Sequence, residues 1–206
     1  MTHLLDIPSH IWATHPALRS HEKSALAATC KTLRRGVLGS CTSVLVCRPP
    51  KDGKELRDMV AQLRHLSTLG LSLHKLSILH PKEAENEPTS DVTDLSPLSE
   101  LTGLQHLDCR SLRNVTDLSP LTALTGLRHL NCAFNDKVTD LSPLTALTGL
   151  QHLEFGWLKN VTDLSPLTAL TGLRHLNCSY LWNVTDLSPL TTLTGLQHLD
   201  CDSWVR

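Results

Sequence analysis

The sequence repeats itself every 23 residues over its C-terminal half. The tripeptide Val-Thr-Asp begins at Val92, Val115, Val138, Val161 and Val184, and nearly identical sequences follow four of the five copies. Self-similarity at a period of about 20–50 residues is the signature of stacked supersecondary units. One such unit cannot bury enough apolar side chain to stand alone, so neighbouring units must share a continuous core. The repeat therefore predicts a solenoid.

The spacing of leucines within the unit predicts its local structure. Apolar residues step by three from Leu121 through Leu124 and Leu127 to Leu130, which favours tight helical turns that feed a short strand. A carboxylate such as Asp117, ahead of Leu-Ser-Pro-Leu, is well placed to cap such a turn.

Two parts of the unit carry a family resemblance. The spacing Leu127-x-x-Leu130-x-Cys132 resembles the strand signature of leucine-rich repeats, and residues 140–150 resemble the convex side of the short internalin and SDS-type repeats. The resemblance implies an α/β leucine-rich-repeat solenoid over residues 92–206. Its parallel strands would line the concave face and its short 3-10 or helical turns the convex face, with a small helical segment at the N-terminus.

The asparagine of this repeat family departs from its usual place. An Asn is expected three residues after the Cys position, but only Asn135 stands there. Asn114, Asn160 and Asn183 come two residues later in their repeats, and we expect them to take over part of its role.

Residues 1–40 form an F-box-like segment or a helical cap. The aliphatic-Pro pair within residues 6–12, followed by the Leu-x-x-x-Cys-Lys pattern within residues 24–35, resembles an F-box. The resemblance implies docking on a Skp1-type adaptor of a cullin ubiquitin ligase, through helices that contain or are supported by Ile7, Pro8, Ile11, Leu26, Cys30 and Leu33. Pro16 interrupts any continuous helix in the middle of the segment. The alternative is a plain helical cap that packs Leu26, Leu33 and Val37 on the first strand.

Residues 41–91 connect this segment to the regular array. Residues 41–80 are predicted to be degenerate leading repeats, with a β-rich run at 43–47, a helix over 54–63 and the strand pattern Leu66-x-x-Leu69-x-Leu71. Residues 81–91 are charged and contain Pro81 and Pro88, so we expect an exposed loop.

Composition limits the cellular compartment and the classes of partner that we expect for this chain. The chain has no uninterrupted apolar run at its N-terminus and no stretch of the ~18 apolar residues that a membrane span needs. Four of its seven cysteines recur at one repeat position, unlike a secreted disulfide framework. We therefore expect an intracellular protein, cytoplasmic or nuclear, without a membrane partner. The basic residues of the N-terminal 80 are scattered, which argues against nucleic acid.

Equivalent residues of successive repeats should form columns on the sheet. One column consists of His106, His129, His152, His175 and His198. A histidine column could hold a metal or respond to pH, but no carboxylate or thiol converges beside it in a fixed position, so no metal site is predicted. Two residues after each His, acids and amides alternate as Asp108, Asn131, Glu154, Asn177 and Asp200. This alternation indicates duplication of a 46-residue pair of repeats.

The inward column and the absence of reactive motifs argue against catalysis. Phe155 shares an inward position with Cys109, Cys132, Cys178 and Cys201, which indicates an apolar slot. The recurring Ser, His and Asp residues are spread by duplication, so the sequence predicts neither an enzyme nor a cofactor.

Aromatic residues mark the predicted ligand surface. Phe134, Trp157 and Tyr180 occupy one position on consecutive repeats, just after the strand. Aromatic residues are typical anchors of binding hot spots, although these could instead pack over the solenoid edge. Together with His129, Glu154 and His175 they are predicted to bind a protein ligand on the concave face and its rim.

The predicted function is a protein–protein interaction module, in the narrower form the substrate-recognition subunit of a Skp1-cullin-F-box ubiquitin ligase. The alternative is a free-standing intracellular repeat scaffold without a ubiquitin role. A third hypothesis is a secreted internalin-like adhesion protein.

Overall fold

A single sheet runs through the part of the chain that the structure describes. The structure is a computed structural model, and it describes residues 33–37, 41–46, 50–68, 72–78 and 90–202. The sheet has eight strands in the order of the sequence. The first two, β1 (Leu33–Val37) and β2 (Cys41–Val46), pair antiparallel, and every later pairing is parallel. Helix α1 (Gly53–Thr68) connects β2 to β3 (Ser72–Ile78).

The regular repeats each contribute one short 3-10 helix and one three-residue strand. The 3-10 helices are η1 (Ser96–Glu100), η2 (Ser119–Ala123), η3 (Ser142–Ala146), η4 (Ser165–Ala169) and η5 (Ser188–Thr192). The strands are β4 (His106–Asp108), β5 (His129–Asn131), β6 (His152–Glu154), β7 (His175–Asn177) and β8 (His198–Asp200). Parallel strands line the concave face and 3-10 helices the convex face, so the predicted fold class is confirmed. Within the described residues no helix is long and apolar enough to cross a membrane.

An aspartate caps the start of each 3-10 helix. In the fourth regular repeat Asp163 accepts hydrogen bonds from the Ser165 hydroxyl and from the Ser165 backbone N–H, both at 2.7 Å. These bonds lower the pKa of the Asp163 carboxyl. Pro follows Ser in the first turn, where a missing N–H leaves no bond unmade. The predicted capping role of the repeated aspartate is confirmed.

Leucines from both sides of each repeat meet in one continuous core. Leu118, Leu121, Leu124, Leu127 and Leu130 are at most 2% exposed, and their equivalents in the neighbouring repeats are buried beside them. Within the same core the predicted apolar slot is confirmed for four of its five occupants, which are completely buried: Cys109, Cys132, Phe155 and Cys178. The fifth, Cys201 of the last repeat, is only partly buried against the core. Burial raises the pKa of Cys132 to about 12, so this thiol is neutral and packs as an apolar group.

Asparagines hold neighbouring repeats together behind the strands. The Nδ2 of Asn160 donates to the backbone oxygen of Asp136 at 2.7 Å, and Asn183 donates in the same way to Lys159 at 2.6 Å. Asn135 is fully buried and donates to Cys109 O at 3.3 Å. The expectation that the later asparagines replace part of the usual ladder is therefore confirmed.

The segment before the regular repeats confirms one prediction and corrects another. The helix predicted over 54–63 lies inside α1, which buries Leu56, Met59, Val60 and Leu63 as one stripe. The strand predicted from Leu66-x-x-Leu69-x-Leu71 is wrong. Leu66 belongs to α1, and the strand is β3.

The physical reason for this error is a second copy of the same spacing. Leu73-x-x-Leu76-x-Ile78 repeats the pattern seven residues later, and Leu76 pairs with Leu107 of β4. The apolar spacing alone cannot choose between the two copies. The length that α1 needs to cover the core decides the register.

Two further predictions meet the structure only in part. Leu33 begins β1, where it pairs with Val46, and so does not lie in the expected helix. The other residues assigned to adaptor binding, Ile7, Pro8, Ile11, Leu26 and Cys30, lie outside the described residues.

At the end of the predicted loop 81–91, Ser90 is buried rather than exposed, because its hydroxyl donates to Pro50 O at 2.5 Å. The rest of that loop, up to residue 89, is also outside the described part.

We expect Phe155→Ala to lower the free energy of unfolding by roughly 3–5 kcal/mol, because the ring fills the slot that a small thiol fills in other repeats. Urea denaturation followed by circular dichroism would measure the loss. The matched control Cys132→Ala removes a single sulfur from the same slot and should cost less than half as much. Equal losses in the free energy of unfolding for the two variants would show that the Phe155 ring does not fill the slot.

Candidate functional site

The outward-facing histidines of the strands form a continuous stack. The parallel register pairs each His with the His of the next repeat. Successive ring centroids are 3.9, 4.0, 4.1 and 4.4 Å apart, with interplanar angles of 9–14°. The stack contains five rings: His106, His129, His152, His175 and His198. It forms the floor of the concave face.

Burial within the stack favours the neutral form of its first three histidines, His106, His129 and His152. Burial of the ring, followed by the charges of His106, His152, Lys75 and His175, lowers the pKa of His129 to about 4. Burial also lowers the pKa of His106 and of His152. The next largest cause is the charge of Lys75 for His106 and the charge of His175 for His152. At neutral pH this part of the stack is therefore an uncharged surface of imidazole rings.

A second column, two residues further along each strand, alternates acids and amides. The Nδ2 of Asn131 donates to Glu154 Oε2 at 2.7 Å, and the Nδ2 of Asn177 donates to Asp200 Oδ2 at 3.1 Å. Each amide oxygen in turn accepts a backbone N–H two residues later, from Ala133 in the first case at 3.1 Å. The amides thus separate the carboxylates and orient them.

The three carboxylates of this column differ in their cationic partners. Asp108 forms a two-pronged ion pair with Arg110, with Nε–Oδ1 at 2.9 Å and Nη2–Oδ2 at 2.5 Å. Neither Glu154 nor Asp200 has a Lys or Arg within ion-pair distance among the described residues. Both of these carboxylates are exposed.

The three aromatic residues after the strands form a stacked stripe, which we call the aromatic stripe: Phe134, Trp157 and Tyr180. Their ring centroids are 5.6 Å apart between Phe134 and Trp157, and 4.2 Å apart between Trp157 and Tyr180. Trp182 adds an edge contact to Trp157 at 5.6 Å and is 54% exposed. The stripe residues are half-buried, so the rings pack on one another and still present apolar surface to solvent.

The backbone of the aromatic stripe lies in the left-handed region. φ is 62° at Phe134, 65° at Trp157 and 62° at Tyr180, a conformation that bulky residues rarely adopt. Each backbone N–H donates to a carbonyl of the next repeat, as Trp157 does to Ser179 O at 2.9 Å. Ser111, at the same position of the first repeat, has a φ of 63°, so the repeat backbone imposes this conformation and the aromatic side chains are accommodated in it.

The structure brings the predicted ligand-surface residues into three neighbouring columns. His129 and His175 lie in the histidine stack, Glu154 in the acid–amide column, and Phe134, Trp157 and Tyr180 in the aromatic stripe. Whether they bind a ligand stays a prediction. Residues of β6, β7 and β8 also line an open depression of about 610 Å³ on this face.

Sequence reasoning missed three features of this surface. Trp182 lies two residues after Tyr180 in the same repeat and contacts Trp157 of the preceding repeat. Because it does not occupy the repeat position of the stripe, a comparison of equivalent positions does not reveal it. Arg110 neutralises Asp108, and Gly156 packs its Cα face against the next repeat. The i, i+2 spacing of Asp108 and Arg110 was the available signal for their ion pair.

The described residues contain no group of three or more His, Cys, Asp or Glu side chains that could hold a metal ion. The stacked rings present their faces to one another, whereas metal ligation uses the nitrogen lone pair in the plane of the ring. The chemistry of this surface is accordingly that of contact, hydrogen bonding and charge.

We expect the free energy of unfolding to fall as the pH drops from about 6.5 towards 4. His129 stays neutral in the folded chain down to a pKa of about 4, whereas an unfolded histidine takes up its proton near pH 6.5. The stability is therefore complete above pH 6.5 and is lost progressively below it. Urea denaturation at pH 7.5, 6 and 5 would measure this slope.

The comparison variant replaces His106, His129 and His152 by Gln. It should show a shallower loss over the same pH range, since the carboxylates that remain titrate mainly below it. Identical slopes for the two proteins would exclude the stack as the cause.

Comparison with known proteins supports the repeat assignment. Residues 104–146 match the family described as Leucine Rich repeats (2 copies). The chain is similar to the crystal structure of an internalin (inlF) from Listeria monocytogenes, with 26% sequence identity and a TM-score of 0.51. That alignment covers 78% of this chain and 46% of the internalin, so the chain spans about half the length of this relative.

Two other solved structures are similar at lower identity. Internalin C2 from Listeria monocytogenes is 21% identical, with 78% of this chain and 79% of that chain covered and a TM-score of 0.41. A leucine-rich-repeat protein of Leptospira interrogans is 16% identical, with 71% and 50% covered and a TM-score of 0.29. No curated protein matches the chain. The internalin likeness, the match over residues 104–146 and the 23-residue register agree on the leucine-rich-repeat fold.

Proposed function

We propose that this chain binds a segment of a partner protein across its concave face and the adjoining rim. Leucine-rich-repeat proteins generally bind protein partners. The surface consists of the histidine stack, the acid–amide column and the aromatic stripe. In the order of the chain its predicted contact residues are His129, Phe134, Glu154, Trp157, His175 and Tyr180.

The observation that carries this proposal is the half-exposed aromatic stripe held in a left-handed backbone. Asn or Gly would occupy these positions with less strain. A stack of Phe134, Trp157 and Tyr180 instead provides a large, rigid apolar area whose side chains lose little further entropy on binding. Rigid aromatic groups beside polar neighbours are characteristic of binding hot spots.

The histidine stack supports the same proposal in a different way. A neutral imidazole can donate a hydrogen bond from one ring nitrogen and accept one at the other. The five imidazole rings, at 3.9–4.4 Å spacing, present a row of ring nitrogens to an extended segment. The low pKa of His129 keeps the centre of this row uncharged at neutral pH.

A random displayed peptide library, selected on the full-length chain, would test the proposal. We expect Trp157→Asn to weaken binding of the selected peptides about 30-fold or more, the size of a hot-spot loss. Asn tolerates the left-handed backbone, so this variant removes the ring without adding strain. Fluorescence anisotropy would give the affinities.

The matched control is Leu187→Ala, which removes an exposed apolar side chain from the convex side. It should leave peptide affinity within about twofold. A library that yields no peptide on the folded wild-type chain would contradict the proposal. So would peptides that bind Trp157→Asn as tightly as the wild type.

A narrower form of the proposal makes the chain a substrate-recognition subunit of a ubiquitin ligase. Its support is the resemblance of residues 1–40 to an F-box, carried by Ile7, Pro8, Ile11, Leu26 and Cys30. An intracellular location, cytoplasmic or nuclear, is part of this form and of its alternative. The other form is a repeat scaffold without a ubiquitin role, in which residues 1–40 cap the solenoid.

Co-purification with a Skp1-type adaptor separates these two forms. Under the ligase form we expect the full chain to retain the adaptor and the double variant Pro8→Ala, Leu26→Asp to lose it, because the variant puts a charge on an apolar docking helix. The variant's circular dichroism should match that of the parent. Failure of the well-folded parent to bind would leave the scaffold form.

A further inference from the structure

We infer that the partner segment presents arginine side chains to Glu154 and Asp200, with two residues between the arginines. This inference rests on the proposed binding function and names the chemistry of its ligand. The carboxylates lie at the end of the strands that adjoins the aromatic stripe. The pocket at Glu154 would therefore have a charged wall and an aromatic wall, whereas the pocket at Asp200 lies beyond Tyr180, at the end of the stripe.

The first regular repeat already contains the interaction that we assign to the partner. Arg110 places its guanidinium against both carboxylate oxygens of Asp108. Burial and this pairing leave Asp108 largely covered and the Arg110 side chain half-exposed. The acid–amide column can thus accept an arginine in a two-pronged geometry.

The later carboxylates cannot receive an arginine from the chain's own equivalent positions. In the third repeat that position is Gly156, where an added Cβ would approach Ser179 O to 3.0 Å and Asn177 Oδ1 to 3.2 Å. In the fifth repeat it is Asp202, which adds negative charge beside Asp200. Close packing in one case and like charge in the other leave these carboxylates without a cation from the equivalent positions. Asp200 accepts hydrogen bonds from Asn177 Nδ2 at 3.1 Å and from Ser179 Oγ at 2.8 Å, and each carboxylate oxygen can still accept a second bond from a partner.

Arg110 is at this edge, but its guanidinium is paired with Asp108, and the charge of Glu154 acts on it only as a smaller cause of its raised pKa. Arg128 and Arg174 precede the strands, and three residues of extended chain, about 10 Å, separate each from the acid–amide column. That distance is close to one Debye length at physiological ionic strength, about 8 Å. The edge that carries Glu154, Asp200 and Asp202 is consequently acidic in its local field.

The aromatic stripe supplies the second wall. Trp157 follows Glu154 by three residues, so its backbone lies within about 11 Å of that carboxylate. Guanidinium groups stack on aromatic faces as well as pairing with carboxylates. The cluster already attracts one cation, since Lys159 Nζ lies 5.8 Å from the Trp182 ring centroid.

The spacing of the carboxylates determines the spacing of the arginines. Glu154 and Asp200 are on strands β6 and β8, two steps of about 4.8 Å apart across the sheet. A peptide in the polyproline II conformation advances about 3.1 Å per residue and returns to the same face every three residues. Two arginines three residues apart therefore lie on one face about 9–10 Å from each other, which corresponds to the pattern Arg-x-x-Arg.

The test uses fluorescein-labelled octapeptides and the full-length chain, with anisotropy measured at low salt. The probes carry an Arg-x-x-Arg, an Arg-x-Arg or a Glu-x-x-Glu core and are otherwise identical. We expect the Arg-x-x-Arg probe to bind most tightly. The double variant Glu154→Gln, Asp200→Asn should weaken it by about tenfold or more, because two charge-assisted hydrogen-bond pairs are lost.

Glu100→Gln is the matched control, since it removes one exposed carboxylate from the convex side. Its affinity for the probe should equal that of the wild type. Circular dichroism of every variant checks the fold. Equal affinity of the wild type and the double variant for the Arg-x-x-Arg probe would overturn the inference, as would a preference for the acidic probe.

The outcome can be separated from that of the proposed function. Library peptides that need Trp157 but carry no arginine would overturn the arginine inference and leave the binding function intact. A library without binders would remove both. Self-association of the wild type in the ultracentrifuge, abolished in Trp157→Asn, would assign the surface to a second copy of the chain and overturn the inference.

Discussion

The parallel strand register is the constraint on which the rest of this structure depends. It places each residue about 4.8 Å from its equivalent in the next repeat, as in the pairing of His129 with His152. A side chain at a repeated position must therefore pack favourably against a copy of itself or against a different side chain that complements it. Leucines, neutral histidines and aromatic rings meet this condition because each packs well against its own kind. Carboxylates do not, because two like charges at that spacing repel.

The alternation of acids and amides solves this problem. With Asn131 and Asn177 between them, successive carboxylates are separated by two strand spacings, about 9.6 Å, and each amide donates to a neighbouring acid. Duplication of a 46-residue pair explains how the pattern arose. The hydrogen bonds and the reduced repulsion explain why a pair is a better unit than a single repeat. The same alternation places Arg128 and Arg174 in the rows that lack an acid.

The regular half of the fold could be predicted because a 23-residue period leaves few alternatives. The turns, the capping aspartates, the inward Cys and Phe slot and the substituted asparagines all follow from position within the repeat. Prediction failed where that positional information ends. The spacing of Leu66, Leu69 and Leu71 repeats at Leu73, Leu76 and Ile78, and only the length of α1 decides between them. At the site, the columns could be predicted, but the pairing of Asp108 with Arg110 and the edge contact of Trp182 depend on side-chain directions that position does not specify.

The left-handed backbone of the aromatic stripe was also invisible in the sequence, because the usual Gly or Asn signal is absent there. A non-glycine residue in this region costs about 1–2 kcal/mol, and an aromatic contact returns about 0.5–1.5 kcal/mol. The contacts of Trp157 with Phe134, Tyr180 and Trp182 therefore offset much of the strain of the three stripe backbones. Burial of part of each ring adds a hydrophobic contribution to this balance. The part of each ring that stays exposed contributes nothing to the solenoid, and a contact made on these exposed faces accounts for it better than the fold does.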